Sequence, residues 1–211
     1  MSKKIIAIVG KKGSGKDTIG NIIKELDPEF QQYSFAMPIK KVITDVFGVP
    51  DSQLEDRVGK ETPIEKWYNK SPRDLMKDVG DAFKEKFDRN IWIDILFDTI
   101  KDKEKVVITD LRFKNEYDKC REKGVFIIKV VRPEINSSDT HISETELDNI
   151  SDSKYDAFVV NSGTIEDLSF KHSRANAVPV KLAFVSTMKK KQEYYNGYLS
   201  FSKLLRVKRM D

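Results

Sequence analysis

The sequence predicts an α/β fold of three layers, a five-stranded parallel sheet with helices on both faces. Two observations predict it. Short β-branched apolar runs alternate along the chain with segments whose apolar residues recur at helical spacing, the pattern of strand–helix–strand units. A glycine-rich turn joins the first apolar run to the first amphipathic segment, a junction typical of parallel α/β sheets.

Lys4–Val9 is almost continuously apolar, as expected of a strand covered on both faces. Ile19, Ile22, Ile23 and Leu26 follow at i, i+3, i+4, i+7 and predict the first helix. Tyr33–Ala36 predicts a short second strand, and Ile39, Val42, Ile43, Val46 and Phe47 form the stripe of a second helix. Residues 48–70 are polar and hold Pro50, Gly59 and Pro63, which predicts an excursion from the core.

Ser71-Pro72-Arg73-Asp74 then opens a helix, with Ser71 as N-cap, Pro72 in the first helical position and Asp74 at N3. Leu75, Met76, Val79, Phe83 and Phe87 are its apolar stripe. A further helix carries Trp92, Ile95, Leu96, Thr99 and Ile100. Lys105–Thr109 and Val125–Val131 predict strands three and four, with a helix between them that stops at Gly124. Residues 132–153 are polar again, Ala157–Val160 is a fifth strand, and Thr164–Leu168 begins another helix.

The chain has 211 residues, 39% of them hydrophobic, enough for one cored domain with a small appendage. No apolar run is long enough to span a bilayer, and the first strand begins too early to leave room for a signal peptide, so a cytoplasmic protein is expected, in the cytosol of its cell or of a host. One cysteine, Cys120, excludes an internal disulfide, and two histidines make a structural zinc site an unsuitable reading. The chemistry must then come from backbone amides, lysine, arginine and carboxylates. Residues 171–211 hold ten Lys/Arg against two acids, a net +8, although the whole chain is only +4. The expected organisation is a domain over 1–170, with an acceptor-binding excursion at about 48–90 and a lid at about 132–153, and a basic extension over 171–211.

Gly10-Lys11-Lys12-Gly13-Ser14-Gly15-Lys16 satisfies the G-x-x-x-x-G-K pattern between a buried strand and an amphipathic helix. Glycines allow the backbone to curl until successive N–H groups face phosphate oxygens, and the helix N-terminus adds partial positive charge. Gly10, Lys12, Gly13, Ser14, Gly15, Lys16, Asp17 and Thr18 are therefore the candidate phosphate-binding residues, with Lys16 reaching the β- and γ-phosphates. Asp17 stands where a Ser or Thr commonly ligates Mg²⁺, and Thr18 follows it. Asp17 can hold Mg²⁺ through water, orient an acceptor phosphate through the metal, or cap the helix.

Gly13-Ser14-Gly15-Lys16-Asp17-Thr18 is similar to the loop of the phage-type deoxynucleoside monophosphate kinases. Further blocks resemble that family in the expected order: Ser34-Phe35-Ala36 with Pro38-Ile39-Lys40; Ser71-Pro72-Arg73 with Gly80 and Trp92; Thr109-Asp110-Leu111-Arg112-Phe113 with Asn115-Glu116; and Val131-Arg132-Pro133 before His141, Ser143 and Glu144. Asn161-Ser162-Gly163-Thr164 resembles the turn after the family's last strand. Animal-type phosphomevalonate kinases have a related loop. The family's Gly-Thr-Asp is here Gly80-Asp81-Ala82.

The resemblance implies a P-loop kinase that uses ATP and Mg²⁺ to convert deoxynucleoside monophosphates to diphosphates. Arg73, whose planar fork suits phosphate, is the first candidate for the acceptor phosphate. Asp110 and Arg112 follow a buried strand, where open sheets bind ligands; Asp110 can hold Mg²⁺, take a base or sugar contact, or cap the next helix. Arg132 enters the lid, where the family places a phosphate-contacting arginine; Glu144 and His141 fall in the same segment, Glu144 as a substrate residue and His141 as a structural one. Asn161 meets adenine on the resemblance alone. Trp67 and Tyr68 can stack on a base or anchor the excursion to the core.

Two alternatives remain at this level. One is a P-loop kinase of another phosphorylated metabolite, phosphomevalonate-like. The other is a nucleotide-binding protein whose tail binds nucleic acid, because Lys189–Lys191, Tyr194, Tyr195, Tyr198, Phe201, Arg206, Lys208 and Arg209 interleave charge with aromatics. Leu199, Leu204, Leu205 and Val207 equally suit packing on the core or in a homodimer, and nucleic acid is the weaker reading.

Overall fold

The computed structural model describes residues 3–133 and 146–161, and for 169–172 the backbone alone. In chain order the elements are β1 (Lys4–Val9), α1 (Lys16–Leu26), β2 (Gln31–Tyr33), α2 (Met37–Phe47), α3 (Asp51–Glu55), α4 (Pro72–Lys86), α5 (Ile91–Thr99), β3 (Lys105–Leu111), α6 (Lys114–Glu122), β4 (Phe126–Val131), β5 (Ala157–Val160) and β6 (Ser169–His172). Single 3₁₀ turns occur at Gly59–Glu61, Glu65–Trp67 and Asp152–Lys154. Two compact units result: Ser34–Asp102 forms one, and the sheet with α1 and α6 forms the other.

The sheet has the order β2-β3-β1-β4-β5-β6. Its first five strands are parallel, with Tyr33 opposite Ile108, Ile5 opposite Val106, Ile8 opposite Ile128 and Val130 opposite Val159. The five parallel strands expected from the sequence are thus present. A sixth strand adds to them, antiparallel, with Val160 opposite Ser169.

Alternation along β1 shows why its sequence is uninterrupted by polar residues. Ile6 and Ile8 join Ile19, Ile23, Phe30, Val107, Ile128, Val130 and Val159 in one cluster, while Ala7 and Val9, which point the other way, are buried as well. Each such isoleucine or valine contributes about 1.5–3 kcal/mol on burial. The chain runs from β1 through α1 toward β2, but from β3 through α6 toward β4, in the opposite direction across the sheet. Right-handed crossovers therefore put α1 and α6 on opposite faces.

Two local expectations are corrected. The second strand is Gln31–Tyr33 rather than Tyr33–Ala36, because the Met37 N–H closes a turn on the Ser34 carbonyl and Pro38 sits in the first turn of α2. The segment 48–70 is polar in composition yet carries part of a core. Val49 and Leu54 are buried with Ile43 and Leu75, and Ile39, Phe47, Ile64, Trp67, Met76 and Val79 pack around them. Two isolated apolar residues in a polar stretch have no period to reveal them.

The second unit is otherwise built as its sequence indicates. Ser71 and Asp74 form the complete capping box of α4, with Pro72 next to the cap. The Trp92 ring lies 4.9 Å from that of Phe83, and its Nε1 donates to the Gly80 carbonyl at 3.0 Å. A side chain at Gly80 would meet Ile39 Cδ1 at 3.4 Å, so α2 lies tight against α4 there.

Candidate functional site

The turn between β1 and α1 is shaped by glycines at positions that tolerate little else. Gly13 and Gly15 have φ of 79° and 99°, in the left-handed region. A Cβ on Gly10 would sit 2.5 Å from the Val130 carbonyl oxygen and 2.6 Å from Ser14 Oγ. The Ser14 N–H bonds the Lys11 carbonyl at 3.1 Å, and the Ile19 N–H bonds that of Gly15, the N-cap of α1, at 3.0 Å. Ser14 Oγ is buried and has no hydrogen-bond partner among the described residues.

Lys16 is the first residue of α1 and is buried, at 7% exposure, despite its charge. Its ammonium donates to the Gly10 carbonyl at 2.6 Å and to that of Lys11 at 2.9 Å. The lysine is thus folded across the mouth of its own loop. Lys11 in turn pairs with Asp148, 3.4 Å away, in the turn that precedes the 3₁₀ segment before β5.

Asn161, one residue past β5, is buried and donates from Nδ2 to the Ser14 carbonyl at 3.0 Å; its N–H donates to the Val131 carbonyl at 2.8 Å. The resemblance implies an adenine contact for Asn161, and the side-chain nitrogen is held by the backbone of the phosphate loop. Gly20 likewise serves close packing, since a Cβ there would meet Thr109 Cγ2 at 2.6 Å. A glycine inside a helix costs about 1 kcal/mol relative to alanine, a signal that marks such close approaches.

Asp17 is exposed in the first turn of α1 and Thr18 follows it, half-buried. The N-cap of α1 is Gly15 and makes no side-chain cap bond, so the capping role considered for Asp17 has no support here. Asp110 belongs to β3 itself. Ala7 faces Ile108 whereas Val9 faces Leu111, so β3 carries an extra residue at Thr109–Asp110, a bulge of the kind that re-aims a side chain. Buried Glu116 closes α6 from inside, accepting the N–H groups of Arg112 at 2.8 Å and Phe113 at 3.0 Å.

Parallel strands end on one edge of the sheet. The phosphate loop after β1, Asp110 and Arg112 at the end of β3, Arg132 after β4 and Asn161 after β5 all stand on that carboxyl edge. Connections leave β1 and β3 in opposite directions, which is where open α/β sheets bind ligands. His141 and Glu144 lie outside the described residues, as does most of the segment expected to be a lid. Cys120 is buried, and burial pushes its thiol well above its ordinary range, which suits an inert core residue.

In the second unit Arg73 occupies the second helical position of α4, half-exposed, and its Nε donates to Glu61. Trp67 is half-buried; its ring meets that of Phe47 edge-on at 5.1 Å, and its Nε1 donates to the Phe47 carbonyl at 2.9 Å. Of the two roles considered for Trp67, this geometry is that of an anchor. Tyr68 has the opposite surroundings: it is 87% exposed, with φ of 57°.

Glycine positions, a buried lysine at a helix N-terminus, Asp17 in the first turn of α1 and Asp110 near the end of β3 suit a polyphosphate chain with its metal. No group of three or more His, Cys, Asp or Glu suited to a metal occurs among the described residues. Asp17, Thr18 and Asp110 offer hard oxygen donors of the kind Mg²⁺ takes when it is shared with phosphate oxygens and water. No helix among those residues is long and apolar enough to cross a membrane.

Comparison with known proteins bears on the same residues. The family model described as deoxynucleotide monophosphate kinase matches residues 4–58 and 52–172. A protein of Acanthamoeba polyphaga mimivirus named as a deoxynucleotide monophosphate kinase is 37% identical over 179 residues, 77% of this chain and 91% of that protein. The deoxynucleotide monophosphate kinase of Enterobacteria phage T4 is 36% identical over 107 residues, 48% of this chain and 43% of its own length.

Proposed function

The chain belongs to the deoxynucleotide monophosphate kinase family, and from that premise we propose that it moves the γ-phosphoryl group of ATP to the phosphate of a deoxynucleoside monophosphate, giving the diphosphate and ADP. The observation that carries this reading is the Lys16 ammonium, buried at a helix N-terminus inside a glycine-built turn and bonded to carbonyls that a phosphate can replace as partner. Lys16 leaves Gly10 and Lys11 and meets the β- and γ-phosphates, where it offsets charge as the bond to the leaving oxygen breaks. Arg132, on the same sheet edge, supplies a second cation for the transferring group.

Arg73 grips the acceptor's phosphate through its planar fork. That phosphate is already ionised at neutral pH, so no general base is needed and positioning carries most of the rate. Asp17 and Thr18, with Asp110, are the residues that would hold Mg²⁺, which when bound neutralises phosphate charge. Asp110 and Arg112 contact the acceptor's sugar or base, Glu144 belongs to the acceptor site, and Asn161 keeps the loop in shape. Residues 132–153 act as a lid that excludes water, and the basic extension 171–211 serves packing on the core or in a homodimer rather than nucleic-acid binding. The protein acts in the cytoplasm. Neither match speaks for a phosphomevalonate acceptor.

The test is a panel of dTMP, dGMP, dAMP and dCMP incubated with Mg·ATP, with nucleoside diphosphate as the readout. At least one should be converted at tens of turnovers per second or fewer, the ordinary range for kinases being about 1–100 s⁻¹. Formation of ADP without any deoxynucleoside diphosphate would refute the acceptor assignment.

A further inference from the structure

We infer that Glu61 is a positioning residue for the acceptor phosphate, acting through Arg73. The inference rests on the proposal that Arg73 binds that phosphate.

The pair stands on two anchored pieces of backbone. Arg73 lies in the first turn of α4, which Pro72 and the reciprocal Ser71–Asp74 capping bonds hold in place, with the Ser71 N–H 3.0 Å from Asp74 Oδ2 and the Asp74 N–H 3.2 Å from Ser71 Oγ. Glu61 ends the 3₁₀ turn Gly59–Glu61. Gln53 Nε2 donates to the Gly59 carbonyl at 3.3 Å, and the Thr62 hydroxyl donates to the Val58 carbonyl at 2.8 Å, fixing that turn from both sides.

The contact is made at one edge of the guanidinium. Glu61 Oε1 accepts from Arg73 Nε. A guanidinium is planar and presents its donors in a fixed fork, so a carboxylate held at Nε orients the outer Nη1–Nη2 edge without using it. That outer edge matches two oxygens of a phosphate. Both side chains are about half exposed, 51% for Arg73 and 53% for Glu61, and ion pairs so exposed contribute little to stability. Orientation of the arginine is therefore the consequence left for Glu61. It has an electrostatic cost, because a carboxylate beside the arginine weakens the pull on a dianion.

Those two effects oppose one another, and substitutions separate them. Glu61→Gln keeps an oxygen for Nε and removes the charge; its KM for the acceptor should equal or fall below that of the wild type. Glu61→Ala removes the orientation and should raise that KM about fivefold, with kcat and the KM for ATP within about twofold. Arg73→Ala should raise it by roughly 10–100-fold, the loss expected for a charge-assisted bidentate contact. In the Arg73→Ala background, Glu61→Ala should no longer raise the KM and should leave it unchanged or lower it, since with the arginine gone only the carboxylate's repulsion of the phosphate remains.

Steady-state kinetics with a deoxynucleoside monophosphate acceptor decide the matter. An unchanged or lowered KM in Glu61→Ala, or additive effects in the double variant, overturns the role of Glu61 while leaving Arg73 in place. An unchanged KM in Arg73→Ala removes the acceptor assignment itself. Should Glu61→Ala fail to fold, Glu61→Gln still decides: a KM several-fold above the wild type shows that the charge, and not the orientation, matters.

Discussion

Asn161 Nδ2 donates to the Ser14 carbonyl at 3.0 Å, tying the end of the fifth strand to the phosphate loop across 147 residues of sequence. Gly15 lies under the same amide, since a Cβ there would come within 2.6 Å of Nδ2. Replacing Asn161 by alanine leaves a buried carbonyl short of its donor, at a cost of about 1–3 kcal/mol. The KM for ATP should rise about tenfold, equivalent to about 1.4 kcal/mol, while that for the acceptor stays near its original value. Urea denaturation and initial rates check both halves, and an Asn161→Ala protein with unaltered ATP affinity would show that the loop keeps its shape without this bond.

Two glycines that look alike in sequence should respond differently to alanine. At Gly48, φ is 69° and nothing lies within 4 Å of a built Cβ, so Gly48→Ala should cost only the left-handed backbone strain, about 1–2 kcal/mol. At Gly10 the Cβ would be 2.5 Å from the Val130 main-chain oxygen, which cannot move without disturbing β4. Gly10→Ala should therefore lose nucleotide binding altogether and destabilise the fold more than Gly48→Ala does. Titration calorimetry with ATP and thermal melts compare the two; equal behaviour would mean that the loop backbone yields.

Strong local signals make most of the fold legible in the sequence. β1 is apolar on both faces and could hardly be anything but a central strand, and the Ser71–Asp74 cap reads directly from side-chain chemistry. The glycines and Lys16 of the loop are legible for the same reason, because their spacing is dictated by the ligand. What stayed hidden depends on distant partners. The buried positions of Val49 and Leu54, the sixth strand, and the Lys11–Asp148 and Glu61–Arg73 pairs have no periodicity of their own. The Asn161–Ser14 bond is hidden for the same reason, because the resemblance of a turn says nothing about where an amide points.

Trp67 and its neighbour Tyr68 stand in opposite surroundings. Trp67 gives its Nε1 to the Phe47 carbonyl and its ring to the Ile43–Leu75 core. Trp67→Ala should cost about 2–4 kcal/mol, near the lower end of buried aromatic truncations because the ring is only half-buried. Tyr68→Gly should be neutral or stabilising by up to about 1 kcal/mol, since it relieves a left-handed residue that is 87% exposed. If Tyr68 instead stacks on the acceptor's base, Tyr68→Gly will raise the acceptor KM without lowering the melting temperature.

The α4 cap gives a pH dependence of defined sign. Hydrogen bonds from the Ser71 side chain and backbone hold the Asp74 carboxyl below its ordinary value of 3.8. A group whose folded pKa is depressed stabilises the protein above its unfolded pKa, and that contribution is lost as pH falls through the folded value. Asp74→Ala should melt below the wild type by a constant margin at neutral and mildly acidic pH. The margin should shrink only once pH drops below about 3.8. Melts of both proteins across that range test it, and a margin that persists unchanged at pH 2 would place the stabilisation elsewhere.

Lys16 tests the phosphate loop itself. Its ammonium is held by two main-chain carbonyls, so truncation to alanine would disturb the loop as well as remove the charge, whereas Lys16→Met keeps most of the buried stem. Turnover in Lys16→Met should fall by about 10²–10³-fold, the loss typical of one preorganised donor aimed at developing charge. The melting temperature should shift by no more than a few degrees, because the carbonyls of Gly10 and Lys11 lose a donor at a partly wet loop rather than in the core. A fall in kcat with ATP affinity unchanged would assign the charge to the transition state, and weakened affinity with kcat unchanged would assign it to ground-state binding. Wild-type turnover in a folded Lys16→Met protein would remove the lysine, and with it the phosphate-transfer role of this loop, from the reaction.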